Sequence, residues 1–254
     1  MWIYNKQQLS PYRTTTKPLA GSFTLEVDTK NFIDACIYYT GDYEPYLKSQ
    51  FRQLIRPGDC VLDIGANIGF HTLYFAELVG HKGRVFAFEP ILVNYQALIM
   101  NLSFNTFKHI QTEQIALGNE SKTIHIHVDP SIRNPGAYTL LTHGKANTYI
   151  HCLKGDDYVD NKKIGNVNFI KIDVEGYEHE VLKGLKETII NSRPIINFEY
   201  DRNYQLKMND NPADIFSFFD ELNYKLYEVD GYGERVEFIY KETIKGAEII
   251  AFPN

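Results

Sequence analysis

The stretch VLDIGANIGFHTLYFA, residues 61–76, constrains the fold more than any other part of the sequence. An apolar run leads directly into a turn with Gly65 and Gly69, and a helical pattern follows. Glycine lets a backbone bend sharply and approach a ligand, and Asn67 tolerates a left-handed turn conformation. In a doubly wound sheet, the first turn between a strand and a helix faces the crevice where ligands bind. The stretch therefore predicts a ligand site at the first such turn of an α/β fold.

The spacing of apolar segments along the chain predicts a parallel sheet. Four segments are expected to form strands: 60–65, 84–90, 109–117 and 167–176. Helical patterns follow the first, second and fourth of these, at 68–80, 91–103 and 177–187. Strands that alternate with helices of this length form βαβ units, which give a mostly parallel sheet with helices on both faces. The sequence therefore predicts an α/β domain over residues 43–254.

Two segments depart from this alternation. Residues 1–42 contain the short pieces SFTLEV and ACIYY between prolines and glycines, and we expect strands or an irregular N-terminal cap there. Residues 119–165 contain KTIHIHV and NTYIHCL, two runs with a period of 2 that predict an inserted antiparallel excursion. Such an insert is placed to lie over the edge of the site, where it would cover an acceptor.

Composition narrows the class of protein. The 254 residues are 44% hydrophobic, enough for one sizeable core. A net charge of -6 with scattered lysines and arginines disfavours a nucleic-acid partner. The cysteines Cys36, Cys60 and Cys152 form no C-x-x-C pair, which fits buried thiols in a reducing compartment. No apolar stretch reaches the roughly 18 residues of a membrane helix, and no secretory leader is evident, so we expect a cytoplasmic protein.

The glycine turn also limits the ligand. Asn67 and Phe70 stand where a dinucleotide fingerprint requires glycines, and the ending of a P-loop is absent. A sugar-bearing ligand without a phosphate remains, and its ribose hydroxyls need an acceptor. Glu89 ends the second strand, 20 residues after Gly69, where a carboxylate can accept from both hydroxyls. This is the layout of S-adenosylmethionine-dependent methyltransferases. The alternative is that Glu89 only caps the helix that begins after Pro90.

Four motifs carry a resemblance to a known family. They are VLDIGANIGFHTL, VFAFEP, IALGNE and FIKIDVEGYEHEVLKG, in that order, and they cover most of residues 58–185. The chain resembles the FkbM-type methyltransferase family in these motifs. The resemblance implies a class I methyltransferase fold with a seven-stranded, mostly parallel sheet and S-adenosyl-L-methionine as donor. It further implies, as usual for the family, methylation of a hydroxyl on a sugar or polyketide-like acceptor.

The resemblance also implies which residues hold the donor. The turn under its methionine part would contain Asp63, Gly65, Ala66, Asn67 and Gly69. Glu89 would hold the ribose, and the backbone around Ala116 would meet the edge of the adenine.

Methyl transfer to oxygen is an in-line displacement, and it needs alignment and a base that removes the hydroxyl proton. Asp173 and Glu175 end the fourth strand, and Glu199 ends the fifth. If those strands are neighbours, roughly 4.8 Å apart, the three carboxylates converge on one crevice. The alternative is that Glu175 and Glu178 only occupy the first turn of the next helix. His71, after the glycine turn, is a further candidate, although a packing role is equally compatible with its position.

We expect no metal. The converging carboxylates would suit a hard divalent cation, but no motif combines carboxylates and histidines in a way that demands one. We therefore expect activity to survive chelation. The remaining histidine group, His125 and His127 with His143 and His151, has a spacing that an exposed antiparallel strand produces without function.

Three other functions compete with the leading one. A nucleic-acid methyltransferase is disfavoured because IDVEG stands where base-amine enzymes of this fold usually have an Asn/Asp-Pro-Pro-aromatic motif. An NAD-dependent oxidoreductase would need the missing glycine pattern. A degenerate cofactor fold that serves only for binding is opposed by the intact Gly65, Gly69, Glu89 and Asp173. The sequence therefore predicts an O-methyltransferase with a small-molecule or glycan acceptor.

Overall fold

The computed structural model describes residues 13–128, 146–208 and 211–254. Its strands are β1 (Arg13–Thr16), β2 (Leu25–Asp28), β3 (Cys60–Ile64), β4 (Arg84–Phe88), β5 (Ile110–Glu113), β6 (Ala116–Gly118), β7 (Lys122–Ile126), β8 (Thr148–Lys154), β9 (Phe169–Ile172), β10 (Ile195–Asp201), β11 (Tyr224–Val229), β12 (Arg235–Glu237) and β13 (Gly246–Pro253). Its α-helices are α1 (Phe32–Thr40), α2 (Pro45–Leu54), α3 (Phe70–Val79), α4 (Leu92–Ser103), α5 (Gly155–Asn161), α6 (Glu178–Gly184), α7 (Lys186–Ser192), α8 (Arg202–Lys207) and α9 (Asp214–Glu221). A short 3-10 helix at Gly80–Lys82 follows α3.

The central sheet has the strand order β5-β4-β3-β9-β10-β13-β11-β12. The five strands from β5 to β10 are parallel, and β13 lies antiparallel between β10 and β11. The chain leaves β3 on one side towards β4 and returns on the other side at β9. This reversal is the switch point where ligands bind in doubly wound sheets. The expected class I methyltransferase fold is thus confirmed.

The expected number of seven strands is too low by one. The additional strand is β12, a three-residue edge strand that pairs antiparallel with β11. Its residues Arg235, Val236 and Glu237 are all exposed, so they show no apolar run from which a strand could be predicted.

The two faces of the sheet carry different helices. Phe51 of α2 and Phe75 of α3 pack with Phe169 of β9 on one face. Phe198 of β10 packs with Phe219 of α9 in the cluster on the other face. Alternate residues of a strand point to opposite faces. The residues that neighbour Phe169 along β9, and those that neighbour Phe198 along β10, therefore point to the opposite face from these rings.

The N-terminal segment differs in part from the expectation. SFTLEV does contain a strand, β2, which pairs with β1. ACIYY lies in helix α1, so the prediction of a strand there was wrong. The side chain of Asp34 accepts hydrogen bonds from the amide of Asp28 and from Asn31 Nδ2 in the first turn, and Gly41 ends the helix at φ 82°. These local contacts outweigh the alternating apolar pattern. The domain boundary at residue 42 remains a prediction.

The insert contains the expected antiparallel pair. β7 pairs antiparallel with β8, and β6 joins the other side of β8 in a separate three-stranded sheet. The single strand expected at 109–117 was therefore wrong, because its two halves, β5 and β6, pair in different sheets. The helix expected at 177–187 is divided into α6 and α7 at Leu185. Residues 129–145 of the insert lie outside the described residues.

Candidate functional site: a cleft at the switch point

The turn after β3 has the backbone that the sequence predicted. Gly65, Asn67 and Gly69 have φ angles of 85°, 50° and 87°, all in the left-handed region. A Cβ atom at Gly65 would lie 1.8 Å from the carbonyl oxygen of Asp173, and one at Gly69 would lie 2.5 Å from Leu98 Cδ1. Position 65 therefore requires glycine for conformation and for space, whereas position 69 requires it chiefly for its left-handed backbone, since the close atom there is the end of the Leu98 side chain.

This turn forms one wall of a cleft at the switch point of the sheet. Four segments meet here: the turn after β3, the end of β4, the residues that lead from β5 into β6, and the loop after β9. The lining residues are Ile64, Gly65, Asn67, Phe88, Glu89, Pro90, Ile91, Asn94, Ile115, Ala116, Leu117, Asp173, Val174, Glu175 and Tyr177. The cleft thus includes most of the residues expected to hold the donor.

Glu89 is buried at the centre of one wall of this cleft. Its Oε2 accepts a hydrogen bond from the amide of Asn67 at 2.9 Å, and its Oε1 accepts one from the amide of Ile91 at 2.8 Å. Burial raises the pKa of Glu89 to about 7, although these hydrogen bonds act in the opposite direction. The carboxyl therefore joins the turn to the segment that leads into α4. Glu89 thus has the capping contact considered as the alternative, and it also lines the cleft.

The other predicted donor residues have distinct surroundings. Asp63 is fully buried in β3, and its Oδ2 accepts from Thr72 Oγ1 at 2.6 Å. Ala66 is buried, and its amide donates to the carbonyl of Phe88 at 2.9 Å. Asn67 Oδ1 is buried and has no hydrogen-bond partner among the described residues. Since Asn67 lines the cleft, this oxygen is available to accept from a ligand.

The predicted catalytic carboxylates lie on the adjacent side of the cleft. β9 and β10 are parallel neighbours, as the convergence of these groups required. Asp173 Oδ2 forms an ion pair with Lys171 Nζ at 3.0 Å, and Lys171 is buried. Burial alone would lower the pKa of Lys171, but the surrounding carboxylates, Asp173 first, raise it. Asp173 and Glu175 line the cleft, whereas Glu199 does not.

The acidic groups raise one another's affinity for protons. Burial, followed by the charge of Asp173, raises the pKa of Glu175 to about 7. The Glu199 side chain reaches solvent, yet the protein around it displaces enough water to raise its pKa to about 8, and Asp173 and Glu175 add to this effect. Glu175 and Glu199 thus exchange protons near neutral pH, which suits a general base.

Glu178 organises the loop in which these groups stand. Its Oε1 accepts from the amides of Val174 at 3.2 Å and Gly176 at 3.0 Å, and Gln205 Nε2 donates to its Oε2 at 3.2 Å. Glu175 has a left-handed backbone at φ 56° between these two amides. Glu178 therefore folds back from the start of α6 and fixes the loop after β9.

His71 lies apart from the cleft. It is buried on α3 among aromatic rings, including Phe51 and Phe75, and does not line the cleft. Its Nε2 lies 3.0 Å from Glu44 Oε2, at the start of α2. Within the described part of the chain, His71 is therefore connected to the acidic groups through Glu44.

Three charged residues of this region were not predicted. Lys171 gives a recognisable signal, because a lysine in the middle of the apolar strand FIKI needs a buried partner. Glu248 of β13 lies directly opposite Glu199 of β10, and Glu44 faces both from the start of α2. Glu44 and Glu248 gave no local signal, since only the fold brings them to Glu199.

The insert histidines that the structure describes do not form a metal site. His125 and His151 are exposed on β7 and β8, and His143 lies outside the described residues. Among the residues that the structure describes, no group of three His, Cys, Asp or Glu side chains is arranged to hold a metal ion. The expectation that no metal is needed stays a prediction.

The chain is similar in sequence to two named methyltransferases. Hexuronic acid methyltransferase AglP of Haloferax volcanii is 32% identical over 131 residues, which cover 52% of this chain and 52% of that protein. 31-O-demethyl-FK506 methyltransferase FkbM of Streptomyces tacrolimicus is 28% identical over 162 residues, 52% of this chain and 62% of that protein. The chain thus spans about half to two thirds of the length of these relatives.

A solved structure of methyltransferase FkbM from Methylobacillus flagellatus KT aligns with 81% of this chain and 50% of that chain, at 19% identity and a TM-score of 0.49. The profile of the methyltransferase FkbM domain matches residues 63–226, which is more than half of the chain and includes the cleft-forming segments of β3, β4, β6 and β9. The chain therefore belongs to the family of methyltransferase FkbM domains, as its motifs indicated.

Proposed function

We propose that this chain is an S-adenosylmethionine-dependent O-methyltransferase that acts on a hydroxyl of a carbohydrate or a similar hydroxylated metabolite. The observation that carries the proposal is that a group of carboxylates lies next to the cleft formed by the glycine turn, at the carboxyl ends of the parallel strands. Asp173 and Glu175 belong to both, and Glu199 lies beside them. Methyl transfer to a hydroxyl needs such an arrangement of a donor site next to a proton acceptor.

The residues of the cleft fit the donor. The absence of a side chain at Gly65 lets the backbone of Asp173 approach the turn, and Asn67 Oδ1 can accept an N–H. Glu89 can accept from the ribose hydroxyls, since each carboxylate oxygen accepts more than one hydrogen bond. The apolar segment 115–117 would contact the adenine, with the backbone of Ala116 at its edge. When bound, S-adenosylmethionine supplies a methyl group on a positively charged sulfur.

The carboxylates of the chain would then hold the acceptor and take its proton. Asp173, kept in place by Lys171, orients the hydroxyl. Glu175 and Glu199 have pKa values of about 7 and about 8, so each is a base of suitable strength near neutral pH. His71 supports this side of the site through Glu44.

The hydroxyl acceptor has two further supports. One relative is named for hexuronic acid and another for 31-O-demethyl-FK506. A second groove shares Pro90 and Ile91 with the cleft and is lined on its other side by Tyr149 and His151 of the insert. This position supports the insert as a cover for the acceptor.

A cytoplasmic location is part of the same proposal. Cys36, Cys60 and Cys152 are free thiols in the structure, which supports a reducing compartment. Of the helices that the structure describes, none is long and apolar enough to cross a membrane.

The test is methyl transfer by the full chain from radiolabelled S-adenosylmethionine to a panel of sugars, polyols, amines, peptides and RNA. We expect label in hydroxylated small molecules, in a linkage with the stability of an ether. Label in RNA alone would assign another acceptor class. Binding of the donor product without transfer to any member of the panel would support a binding module instead.

A further inference from the structure

Helix α8 is attached to the loop that carries Glu175, one of the two bases proposed above. Gln205 of α8 is 1% exposed, and its Nε2 donates to Glu178 Oε2 at 3.2 Å. Glu178 in turn accepts from the amides of Val174 and Gly176, which flank the base in sequence. The buried Gln205 therefore connects α8 to the loop that places Glu175 at the cleft.

A second contact from α8 reaches the base directly. Tyr204, the residue before Gln205, forms a side-chain hydrogen bond with Glu175. An ionised carboxylate only accepts hydrogen bonds, so the phenol is the donor. Glu175 lines the cleft, whereas Tyr204 does not. The phenol therefore holds the carboxylate from outside the cleft, and each carboxylate oxygen can accept a further hydrogen bond from another donor.

Tyr204 is itself held by contacts at both ends of α8. Asp201 precedes the helix, and its Oδ1 accepts from the amides of Asn203 at 2.7 Å and of Tyr204 at 3.3 Å. Lys207 ends the helix, and its Nζ lies 5.2 Å from the centre of the Tyr204 ring. A capped first turn and a cation over the ring restrict the phenol, so its hydroxyl has a defined position.

The backbone of Glu175 makes such support necessary. Its φ of 56° is left-handed, a conformation that a residue with a side chain keeps only where its surroundings fix it. A general base must also lie within hydrogen-bond reach of the proton that it removes. Glu178 fixes the backbone of this loop, and the hydroxyl of Tyr204 fixes the direction of the carboxylate.

We propose that Tyr204 is a positioning residue for Glu175 as the general base, because its hydroxyl orients the carboxylate and stabilises its ionised form. This inference rests on the proposed function and adds to it a residue outside the cleft. Tyr204 acts through Glu175 and needs no contact with the donor or the acceptor.

The charges around Glu175 show what this hydrogen bond does. Burial, followed by the charge of Asp173, raises the pKa of Glu175 to about 7, and the hydrogen bond from Tyr204 acts in the opposite direction. The other titratable groups near it are Lys171, which lowers its pKa, and Asp201, Glu178 and Glu199, which are acidic. Tyr204→Phe leaves all of these groups in place, so it changes one hydrogen bond to the carboxylate.

The test is an NMR titration of the Glu175 carboxyl in the full chain with carbon-13 labelled glutamate. The signal of Glu175 is the one that disappears in Glu175→Gln. Tyr204→Phe should raise its titration midpoint on the order of one pH unit, because one hydrogen bond to a charged group is lost.

Tyr232→Phe is the matched control, since it removes the same hydroxyl from a residue that is 94% exposed, and it should leave the midpoint unchanged. Circular dichroism verifies the fold of each variant. An unmoved midpoint in folded Tyr204→Phe contradicts the proposal.

Kinetics with an acceptor of the enzyme give the second readout. Activity needs the ionised base, so the acidic limb of the kcat/KM profile should move to higher pH in Tyr204→Phe, and kcat at neutral pH should fall several-fold. In the Glu175→Gln background, Tyr204→Phe should change kcat by less than about twofold, because it acts through the missing carboxylate. An equal fall in both backgrounds means a purely structural role and overturns the proposal.

The NMR titration needs no acceptor, so it decides the question even if no compound is methylated. The affinity for S-adenosylhomocysteine should be the same in Tyr204→Phe and in wild type. The proposed function fails differently, through loss of S-adenosylhomocysteine binding by the wild-type chain or through the absence of transfer to every hydroxylated acceptor.

Discussion

At the residue scale, Glu89 combines a structural and a ligand-binding position. Its two oxygens already accept from the amides of Asn67 and Ile91, which lie on opposite sides of the cleft wall. The same residue lines the cleft, where the ribose of the donor is expected. A change at Glu89 should therefore affect affinity more than it affects the global fold.

The first prediction is that Glu89→Gln weakens the binding of S-adenosylhomocysteine by roughly 10- to 150-fold for each charge-assisted hydrogen bond lost, on the order of 1.5 to 3 kcal/mol. The amide keeps the size of the side chain but replaces one acceptor oxygen with a donor. Isothermal titration calorimetry measures the change, and circular dichroism verifies the fold. Unchanged affinity in a folded variant would place the ribose elsewhere.

The second prediction separates Asp173 from Glu175. If Glu175 is the base, Glu175→Gln should lower kcat by roughly 10²- to 10⁴-fold with nearly unchanged donor affinity, because the proton acceptor acts in the transition state. Asp173→Asn should also destabilise the protein, by about 1 to 3 kcal/mol, since the buried Lys171 loses its ion-pair partner while the partial exposure of Asp173 limits the loss.

The control for this loss of stability is the double variant Lys171→Met with Asp173→Asn, which removes both charges. Stability should recover, and the fall in turnover should remain if Asp173 orients the acceptor. Near wild-type kinetic constants for Glu175→Gln and for the double variant would exclude both carboxylates and turn attention to Glu199 and His71.

The third prediction concerns the pH dependence of stability at Glu199. Its pKa is about 8 in the folded chain, against a usual value of 4.5, so the folded state binds the proton more tightly than the unfolded state. Stability from this group is present at low pH and is lost as the pH rises from about 4.5 to about 8. Glu199→Gln should therefore raise the melting temperature relative to wild type more at pH 8.5 than at pH 5. A difference that is independent of pH, like that expected for Glu237→Gln, would contradict the assignment.

At the scale of elements, the site depends on turns and loops that follow buried strands. The strands β3, β4 and β9 are apolar, and their first residues after the sheet carry the polar groups of the cleft. The sequence therefore predicted the glycine turn, Glu89 and Asp173 from local pattern. It did not predict that Glu44 and Glu248 join Glu199, because β13 reaches β10 only after the intervening α8, α9, β11 and β12. Two elements were missed for different reasons. Helix α1 is stabilised by local hydrogen bonds that the apolar pattern does not show, and β6 pairs with the distant strand β8.

The fourth prediction tests the turn after β3. Gly65→Ala should abolish donor binding and destabilise the protein, because the new Cβ meets the carbonyl oxygen of Asp173 and the backbone has φ 85°. Gly58→Ala is the control, since Gly58 has φ 97° but no atom within 4 Å of the added Cβ. The control should show only the strain of a left-handed residue, on the order of 1 to 2 kcal/mol. Equal effects of the two substitutions on stability and binding would mean that the close approach to Asp173 is unimportant.

At the scale of the whole molecule, the strand order brings the site residues together. The reversal at β3 places the cleft between the two halves of the sheet, and β10 and β13 carry Glu199 and Glu248 on the adjoining part of the sheet. The N-terminal segment packs on this face, because Phe23 and Leu25 share one core cluster with Phe51 of α2, and Glu44 directly precedes that helix. The residues proposed for the donor and the acceptor thus come from segments along most of the described chain.

The fifth prediction is that the cleft binds S-adenosylmethionine. Calorimetry on the full chain measures this binding directly. Titration with S-adenosylhomocysteine should show saturable binding with about one site per chain, unaffected by NAD, since the turn lacks the glycine pattern of a dinucleotide site. Glu89→Gln should weaken this binding, and Glu237→Gln should not. Absence of binding to the folded wild-type chain, or displacement of S-adenosylhomocysteine by NAD, would contradict the account.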